Sequence, residues 1–443
     1  MSMGRRRKSQ QHDLWVASAE LPRSPGHAFY DRLNALLADA GFDHHVEGLC
    51  LPHYAEGVGR GSIPPGVYFR MLLVGYFEGL DSQRAIAWRC SDSLSLRGFL
   101  GTPFSEATPD HSSLTRIRQR LPLSVHEQVF GFVLAIACEK GLLRGKTVVV
   151  DSTTLEANAA MRSIVRRDTG AGYKDYLKGL MAEQGLEKPT DEEIRGFDQK
   201  RKKKVSNQEW ESAADPDSRI ARMKDGTTHL AYKAEHAVDL DSGLVVAAAV
   251  HHADESDPST LVGTVLQAQI NLVWARSEQE VEELVADKGY HKAETLAQCT
   301  RIGTRTYIPE PRRKKRNWED KPEAWHRATG LNRRRVRGQR SKRLQRKRSE
   351  LVERSFAHVC ETGGARRTWI RGLEEVQKRY KVQAAAFNLG VLMRVLFGVG
   401  KPRRLQGAVR APFRALFWLY GLLVACLGRR GERRDRFPLS SAA

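Results

Sequence analysis

The sequence has few cysteines, and none are paired as a metal or redox motif requires. The six are Cys50, Cys90, Cys138, Cys299, Cys360 and Cys426. Because no two of them form a CxxC pair, the spacing argues against a zinc finger and against a secreted scaffold held by disulfides. Several lie in apolar runs, where a free thiol packs as a small hydrophobe. We therefore expect a reducing, cytoplasmic location.

Long apolar runs are also scarce. The basic N-terminus MSMGRRRKSQQHD is not followed by an apolar stretch, so no signal peptide is expected. The strongly apolar segment Phe413–Leu427 is shorter than the roughly 20 residues that cross a bilayer, and Arg414 interrupts it. We expect a buried C-terminal helix there, or an appendage created by a frame change, and no membrane partner.

Acidic residues are too few to balance the basic ones. The chain has 52 Asp and Glu against 73 Lys and Arg, a formal net charge of +21. Such an excess favours a polyanionic partner, with nucleic acid first among the candidates. The excess is clustered, because 10 of the 16 positions in 333–348 are Lys or Arg. Acidic partners are missing from this tract, so it is not a helix face covered by salt bridges.

The chain is long enough for two or three domains. Its 443 residues begin with polar, basic sequence and then show helical apolar spacing, as at Phe29, Leu33, Leu36 and Leu37. Ser82 is a plausible N-cap within that helical region. We predict a flexible basic arm over 1–25 and a helical domain for DNA binding or assembly over 26–143. An α/β domain over 144–400 follows, with an insertion at about 158–228 and a basic insertion at about 312–340. A basic and apolar tail over 401–443 ends the chain as given.

Strand patterns follow the helical region. Three valines run into Asp151, which predicts a buried strand that ends at this aspartate. The insertion shows no strand period and is expected to be helical or irregular. His229–Asp239 and Gly243–His251 are predicted to form a hairpin, and further strands are predicted to end at Asp287 and to span Thr304–Ile308.

Three carboxylates occur in an order that permits a shared site. A strand-ending Asp is most often a cap or turn residue. If the Asp151 and Asp287 strands are parallel neighbours, however, both side chains lie at the same sheet edge. A following amphipathic helix carries Glu353, and Glu350 is a rival one turn earlier. Converging carboxylates repel unless cations separate them, and oxygen ligands suit two Mg²⁺ or Mn²⁺ ions engaged in phosphoryl transfer.

Three segments, VVVDSTTLEAN, VADKGYH and ELVERSFAHVCETGGARR, resemble the three motif blocks of bacterial insertion-sequence DDE transposases. PPGVYFRMLLVGYFEGLDSQRAIAWRC and TPDHSSLTRIRQRL resemble the helical N-terminal domain of that family. The resemblance covers about residues 25–400. It implies a ribonuclease-H-like α/β core, with a mixed sheet flanked by helices and preceded by an all-α domain. It also implies cut-and-paste transposition on double-stranded DNA of the nucleoid. Because transposition must hold two element ends together, we expect a homodimer in the DNA complex.

Carried over motif by motif, the resemblance makes Asp151, Asp287 and Glu353 the catalytic ligands of two Mg²⁺ or Mn²⁺ ions. The block around Glu353 departs from the family's Tyr–Arg–Glu–Lys pattern, because Ser349 stands at the Arg position and Gln345 or Arg346 at the Tyr position. Expected DNA contacts are Lys288, Tyr290, His291, Arg333, Arg334, Arg335, Arg343, Arg346, Arg348 and Arg354.

Two alternatives to a transposase remain open. One is a metal-dependent DNA nuclease on the same fold, and the other is a DNA-binding relative that has lost catalysis. The second is less compatible with a complete set of three carboxylates, whereas joining of DNA ends distinguishes a transposase from the first.

Overall fold

A computed structural model describes residues 27–55, 61–186, 188–201, 205–223, 226–312 and 317–402. The predicted arm over 1–25, the apolar segment Phe413–Leu427 and most of the predicted tail lie outside these residues.

The described chain is mixed α/β, with a helical N-terminal region. Its helices are α1 Ala28–Asp39, α2 Phe42–Cys50, α3 Pro65–Glu78, α4 Gln83–Asp92, α5 Leu94–Leu100, α6 His111–Arg120, α7 Leu123–Glu139, α8 Tyr173–Ala182, α9 Asp191–Lys200, α10 Asp257–Trp274, α11 Ala293–Arg301, α12 Glu323–Arg337, α13 Gln339–Phe356 and α14 Leu373–Phe397. Its strands are β1 Thr147–Glu156, β2 Ile164–Arg166, β3 Trp210–Ser212, β4 Arg219–Arg222, β5 Thr228–Asp239, β6 Val245–His252, β7 Glu283–Val285 and β8 Arg305–Tyr307.

The helical region shares one hydrophobic core with the sheet. Helix α4 begins at the predicted cap, since the Ser82 hydroxyl accepts a hydrogen bond from Ala85 N at 3.2 Å. Helix α14 packs against α7, α3 and β6. Its middle turns are apolar on nearly all sides, which is typical of a helix buried in the centre of a protein. Within the described residues no single helix is long and apolar enough to cross a membrane, although α6 and α7 together, bent by 100°, meet the length and composition criterion.

The main sheet has six strands in the order β4-β5-β1-β7-β8, with β6 also paired to β5. Strand β1 pairs in parallel with β7, so the predicted neighbourhood of the Asp151 and Asp287 strands is confirmed. The predicted hairpin is also confirmed, because β5 and β6 pair antiparallel. Since β5 is antiparallel to both β1 and β6, strands β1, β6, β7 and β8 all run in the same direction. Their carboxyl ends therefore meet at one edge of the sheet.

Two predictions about strands were wrong. Strand β1 does not end at Asp151 but continues to Glu156, because β5 pairs with it along this whole length. The polar residues after Asp151 line a cavity, so the loss of apolar character marks a change of surroundings and not the end of the strand. The insertion contains strands as well as helices: β2 and β3 form a small separate sheet, and β4 joins the edge of β5.

Helix α13 crosses one face of the sheet. It begins inside the basic tract at Gln339 and continues after Phe356 as a π-helical turn, Ala357–Thr362. Near its start, Arg340 donates two hydrogen bonds to the buried carboxylate of Glu283 in β7. Near its end, Ser355 contacts His236 of β5. These two attachments fix the course of α13 from β7 to β5.

Candidate active site

A cavity of about 640 Å³ opens along one edge of β1. Strand β7 pairs with this edge only as far as Val149. The edge is paired again at Glu156, whose N–H donates to Arg366 O at 2.9 Å and whose carbonyl accepts from Thr368 N at 2.8 Å. Between these two pairings no strand in the described part of the chain covers this edge. The β1 residues that line the cavity are Asp151, Ser152, Thr153 and Thr154.

Three aspartates, Asp151, Asp257 and Asp287, line this cavity. Asp287 follows β7 and caps a short 3-10 turn, with Oδ1 accepting from Gly289 N at 2.7 Å. A Cβ on Gly289 would lie 2.9 Å from Oδ1 of Asp287 and 3.1 Å from Oδ2 of Asp257. Glycine is therefore the residue that leaves room for these two carboxylates to approach each other.

Sequence reasoning missed Asp257. It stands at the start of α10, where Asp-Pro is ordinary helix-initiating chemistry. Its Oδ1 accepts from the Ser152 hydroxyl at 3.0 Å and from the buried Lys233 ammonium at 3.4 Å. A signal was available, because Asp257 follows β6, which runs parallel to β1. The rule that placed Asp287 at the edge of the sheet also applies to Asp257.

Asp151 is held by a cation and by a backbone amide. Its Oδ2 accepts from Arg348 Nη1 at 2.7 Å, and its Oδ1 accepts from Ser152 N at 2.9 Å. Burial nevertheless raises the pKa of Asp151 above its ordinary value, and the negative charges of Asp287 and Asp257 raise it further. The Ser152 N–H and the Arg348 guanidinium oppose these effects without cancelling them. The cavity thus disfavours an ionised Asp151 unless positive charge is brought close.

Arg348 is itself held in position by contacts with the sheet. Its Nε donates to Gln345 Oε1 at 3.1 Å. Gln345 Nε2 in turn donates to Ala286 O at 3.2 Å and to Tyr307 O at 2.8 Å, at the ends of β7 and β8. The guanidinium therefore places a positive charge beside the carboxylate where a metal ion would bind.

The cavity has the donor chemistry for a hard divalent cation, because carboxylate oxygens are the ligands that Mg²⁺ and Mn²⁺ prefer. In the described residues, however, no group of three or more His, Cys, Asp and Glu side chains is arranged closely enough to hold a metal ion. In this structure the Arg348 guanidinium contacts Oδ2 of Asp151, one of the oxygens that would bind a cation. The three aspartates that line the cavity are of the ligand type that such a cation takes.

Glu353 lies on α13 near the cavity but is exposed and does not line it. On the same helix, Lys347 Nζ lies 3.4 Å from Leu240 O, close to the amino end of β1. A helix turns by about 100° per residue, so the six residues from Lys347 to Glu353 place the two side chains about 120° apart around the axis of α13. The rival Glu350 accepts from Arg354 Nη2 at 2.7 Å and is 66% exposed.

A buried histidine, His236, holds the end of α13 against the sheet. His236 is the residue of β5 directly opposite Asp151. Its Nδ1 lies 2.9 Å from Ser355 Oγ and its Nε2 lies 2.8 Å from the Tyr380 hydroxyl, while its ring stacks on Phe356. Complete burial lowers the pKa of His236 to about 3, so the imidazole is neutral. These contacts hold the last turn of α13, which contains Ser355 and Phe356, against β5.

The expected DNA contacts differ in accessibility. Tyr290 and His291 are buried where the KGYH turn packs against α10, and the Tyr290 hydroxyl donates to the buried Glu235 at 2.8 Å. That these two residues contact DNA stays a prediction. Arg333, Arg348 and Arg354 are each paired with a carboxylate, and burial lowers the pKa of the half-buried Arg335. The exposed members of the set are Lys288, Arg333, Arg334, Arg343, Arg346 and Arg354.

Comparison with known families gives two matches. A family described as "Transposase domain (DUF772)" matches residues 18–120. A second, described as "Transposase DDE domain", matches residues 274–393. Together the two matches span about half of the chain, and the second contains Asp287 and Glu353, whereas Asp151 and Asp257 lie between them. Neither the curated proteins nor the solved structures contain a match to this chain.

Proposed function

Because the chain belongs to the insertion-sequence DDE transposases, we propose that it binds the terminal inverted repeats of its element and cleaves DNA phosphodiesters with two metal ions. It then joins the 3′-hydroxyl ends to target DNA. The observation that carries this proposal is the cavity in which Asp151, Asp257 and Asp287 converge at the carboxyl edge of parallel strands. We also propose a ribonuclease-H-like core over 144–400, an assembly domain over 26–143, and action as a homodimer on nucleoid DNA in the cytoplasm.

The proposed ligands are Asp151, Asp287 and Glu353, with Asp257 as a further carboxylate beside them. Bound Mg²⁺ or Mn²⁺ would supply Lewis acidity for the attacking and leaving oxygens. Asp151 belongs to a strand that is paired along its whole other edge, so its position is fixed. Lys233 and Ser152 orient Asp257 by hydrogen bonds. We propose that Arg343 and Arg346 of α13, which are exposed, bind DNA phosphates.

The activity is tested with a plasmid that carries the DNA flanking the gene, incubated with the purified protein and Mg²⁺ or Mn²⁺. We expect excised element ends and covalently joined target product, because the proposed reaction couples cleavage to strand transfer. Pre-cut ends should also be joined. Nicking without any joined product would indicate a metal-dependent nuclease. Binding without cleavage would indicate a relative that has lost catalysis.

Arg348→Gln is expected to strengthen Mn²⁺ binding at about pH 8 by roughly three- to tenfold, because it removes a cation that competes for Asp151. Arg348 also lowers the pKa of Asp151, so the variant's carboxyl holds its proton up to a higher pH. The gain should therefore shrink or reverse toward about pH 5. Isothermal titration calorimetry across this range measures both effects. Arg346→Gln, two residues away and exposed, is the control, and an equal gain in that variant would contradict the assignment.

A further inference from the structure

A second polar cavity, of about 410 Å³, lies where helix α6 meets the segment 366–371. The residues that line it come from α6, from this segment, from the start of α14 and from the turn after β1. They include Arg118, Gln119, Trp369, Arg371, Glu375 and Asn158. Because α6 belongs to the helical region and β1 to the sheet, this α6 cavity joins the two parts of the chain.

Positive charge exceeds negative charge around the α6 cavity. Among the described residues that line it, Glu375 is the one carboxylate. Both of its oxygens are taken, since Oε2 accepts from Arg118 Nε at 2.6 Å and Oε1 accepts from Lys378 Nζ at 2.7 Å. Lys378 also pairs with the exposed Glu374, and the exposed Arg371 adds a third cation. The group therefore has a net positive charge.

Two hydrogen-bond donors beside the α6 cavity have no acceptor in the described part of the chain. They are Arg118 Nη1 and Trp369 Nε1. The Trp369 ring contacts two guanidinium groups, with Arg118 at 5.9 Å and Arg379 at 4.7 Å from its centroid. A positive surface with spare N–H groups favours a ligand that has several anionic acceptor oxygens, as a phosphate group has.

The segment 366–371 connects the α6 cavity to the cavity that contains Asp151. At its start, Arg366 Nη1 donates to Thr153 Oγ1 at 3.2 Å, and Thr153 lines the Asp151 cavity. Arg367 forms a parallel bridge with Glu156, so the segment runs beside β1 in the same direction. The Arg367 side chain is 69% exposed, and its Nε lies 3.6 Å from Glu156 Oε1.

The far end of this segment lies a definite distance from the catalytic cavity. There, Arg371 Nε donates to Asn158 O at 3.3 Å. Asn158 follows Asp151 by seven residues, which corresponds to about 23 Å of extended chain. Duplex DNA advances by about 3.4 Å per base pair. A duplex that lies along the segment would therefore span about seven base pairs between the two cavities.

We propose that Arg367, Arg371 and the α6 cavity bind the backbone of the DNA duplex whose phosphodiester is cut beside Asp151, about seven base pairs away from that phosphodiester. The inference rests on the proposed function, which places the cut at Asp151. Arg116 and Arg120 of α6 are also exposed, so the positive surface extends onto the helical region. One duplex then contacts both parts of the chain.

Arg371→Gln tests this surface in the full-length protein, with EDTA present and with a duplex taken from the DNA that flanks the gene. Each phosphate contact contributes about 0.9 to the slope of log affinity against log salt concentration. The variant should bind about three- to tenfold more weakly, with a slope smaller by about 0.9, and Arg367→Gln combined with it should lower the slope by about 1.8. Arg371→Lys should restore the slope.

Arg144→Gln is the matched control, because it removes one exposed arginine at the opposite end of β1. Its slope should equal that of the wild type, and all variants should keep the wild-type melting temperature. Hydroxyl-radical footprinting should show backbone protection about seven base pairs from the cut, and Arg371→Gln should lose this protection.

The proposal is overturned if Arg371→Gln leaves the salt slope unchanged, or if Arg144→Gln changes it equally, which would indicate a general effect of charge. Weaker binding with a lowered melting temperature and an unchanged slope would indicate a structural role and would also overturn it. A wild type that binds no duplex would contradict the proposed function itself. Because EDTA prevents cleavage, a failure to cut or join DNA does not affect these measurements.

Discussion

Asp151→Asn is expected to reduce DNA cleavage by about a thousandfold or more while the affinity for DNA ends changes by less than about twofold. The carboxylate lies on the central strand of the site and faces Asp257 and Asp287 across one cavity. An amide keeps the shape and the contact with Arg348 but loses the charge that a divalent cation requires. A gel assay of cleaved ends and a separate binding assay measure the two effects. The control is Asp241→Asn, which alters an exposed aspartate paired with Lys347 at the opposite end of the strands.

The same variant should also be more stable than the wild type in the absence of metal. Burial raises the pKa of Asp151, so the folded protein binds this proton more tightly than the unfolded chain does. The wild type therefore loses stability as the pH rises through that raised pKa, and the asparagine does not. The melting temperature of the variant should exceed that of the wild type at about pH 8, and the difference should vanish below about pH 4. Cleavage that survives the substitution would refute the role of Asp151, whatever the melting temperature.

Glu353→Gln is expected to lower cleavage by about a hundredfold or more, whereas Glu350→Gln should change it by less than about twofold. The two glutamates are one turn apart on α13, so they share helix propensity and exposure. They differ because Glu350 pairs with Arg354, whereas Glu353 is the residue that the family resemblance assigns as a metal ligand. Cleavage kinetics with Mg²⁺ and Mn²⁺ measure the difference.

Asp257→Asn completes this comparison. If Asp257 and not Glu353 is the third ligand, the Asp257 variant should lose both cleavage and Mn²⁺ affinity, while Glu353→Gln should keep both. Calorimetry with Mn²⁺ measures the affinity, and an unchanged melting temperature separates this outcome from a simple folding defect. Equal and complete loss in the Glu350 variant would contradict the assignment of Glu353.

Asp151 and Asp287 could be predicted from the sequence because each follows a short apolar run. That pattern is local, and the parallel pairing of β1 and β7 supplies the rest. Asp257 could not be separated from an ordinary helix start by local pattern alone. Its role depends on β6 running parallel to β1, which is a property of the whole sheet.

The fate of the KGYH turn shows a second limit of sequence reasoning. Its polar and basic residues suggested a surface that meets DNA. Glu235, however, is buried on the face of β5 that packs against α10, the face opposite to that of His236. A buried carboxyl group needs hydrogen-bond donors, and Tyr290 and Thr260 supply them. The partner that buries Tyr290 lies 55 residues away in the chain. No sequence pattern near Tyr290 indicates that its hydroxyl will donate to a buried carboxyl group.

The course of α13 was predictable only in part. Apolar spacing indicated a helix that runs out of the basic tract, and the structure contains it. The position of α13 on the sheet depends on contacts to Glu283 at one end and to His236 at the other. Both partners are polar residues inside strands, where sequence patterns favour no particular role. The exposure of Glu353 is therefore a result of long-range contacts that the sequence does not display.

Because the edge of β1 is unpaired between Val149 and Glu156 within the described residues, the cavity has a strand on one side and a turn and a helix on the other. Asp151 and Ser152 belong to a strand that β5 anchors along its full length, whereas Asp287 stands on a short turn, and Arg348 and Glu353 stand on a helix that contacts the sheet through side chains. If these carboxylates change their separation when the proposed DNA substrate binds, we expect the turn and α13 to shift and β1 to stay in place.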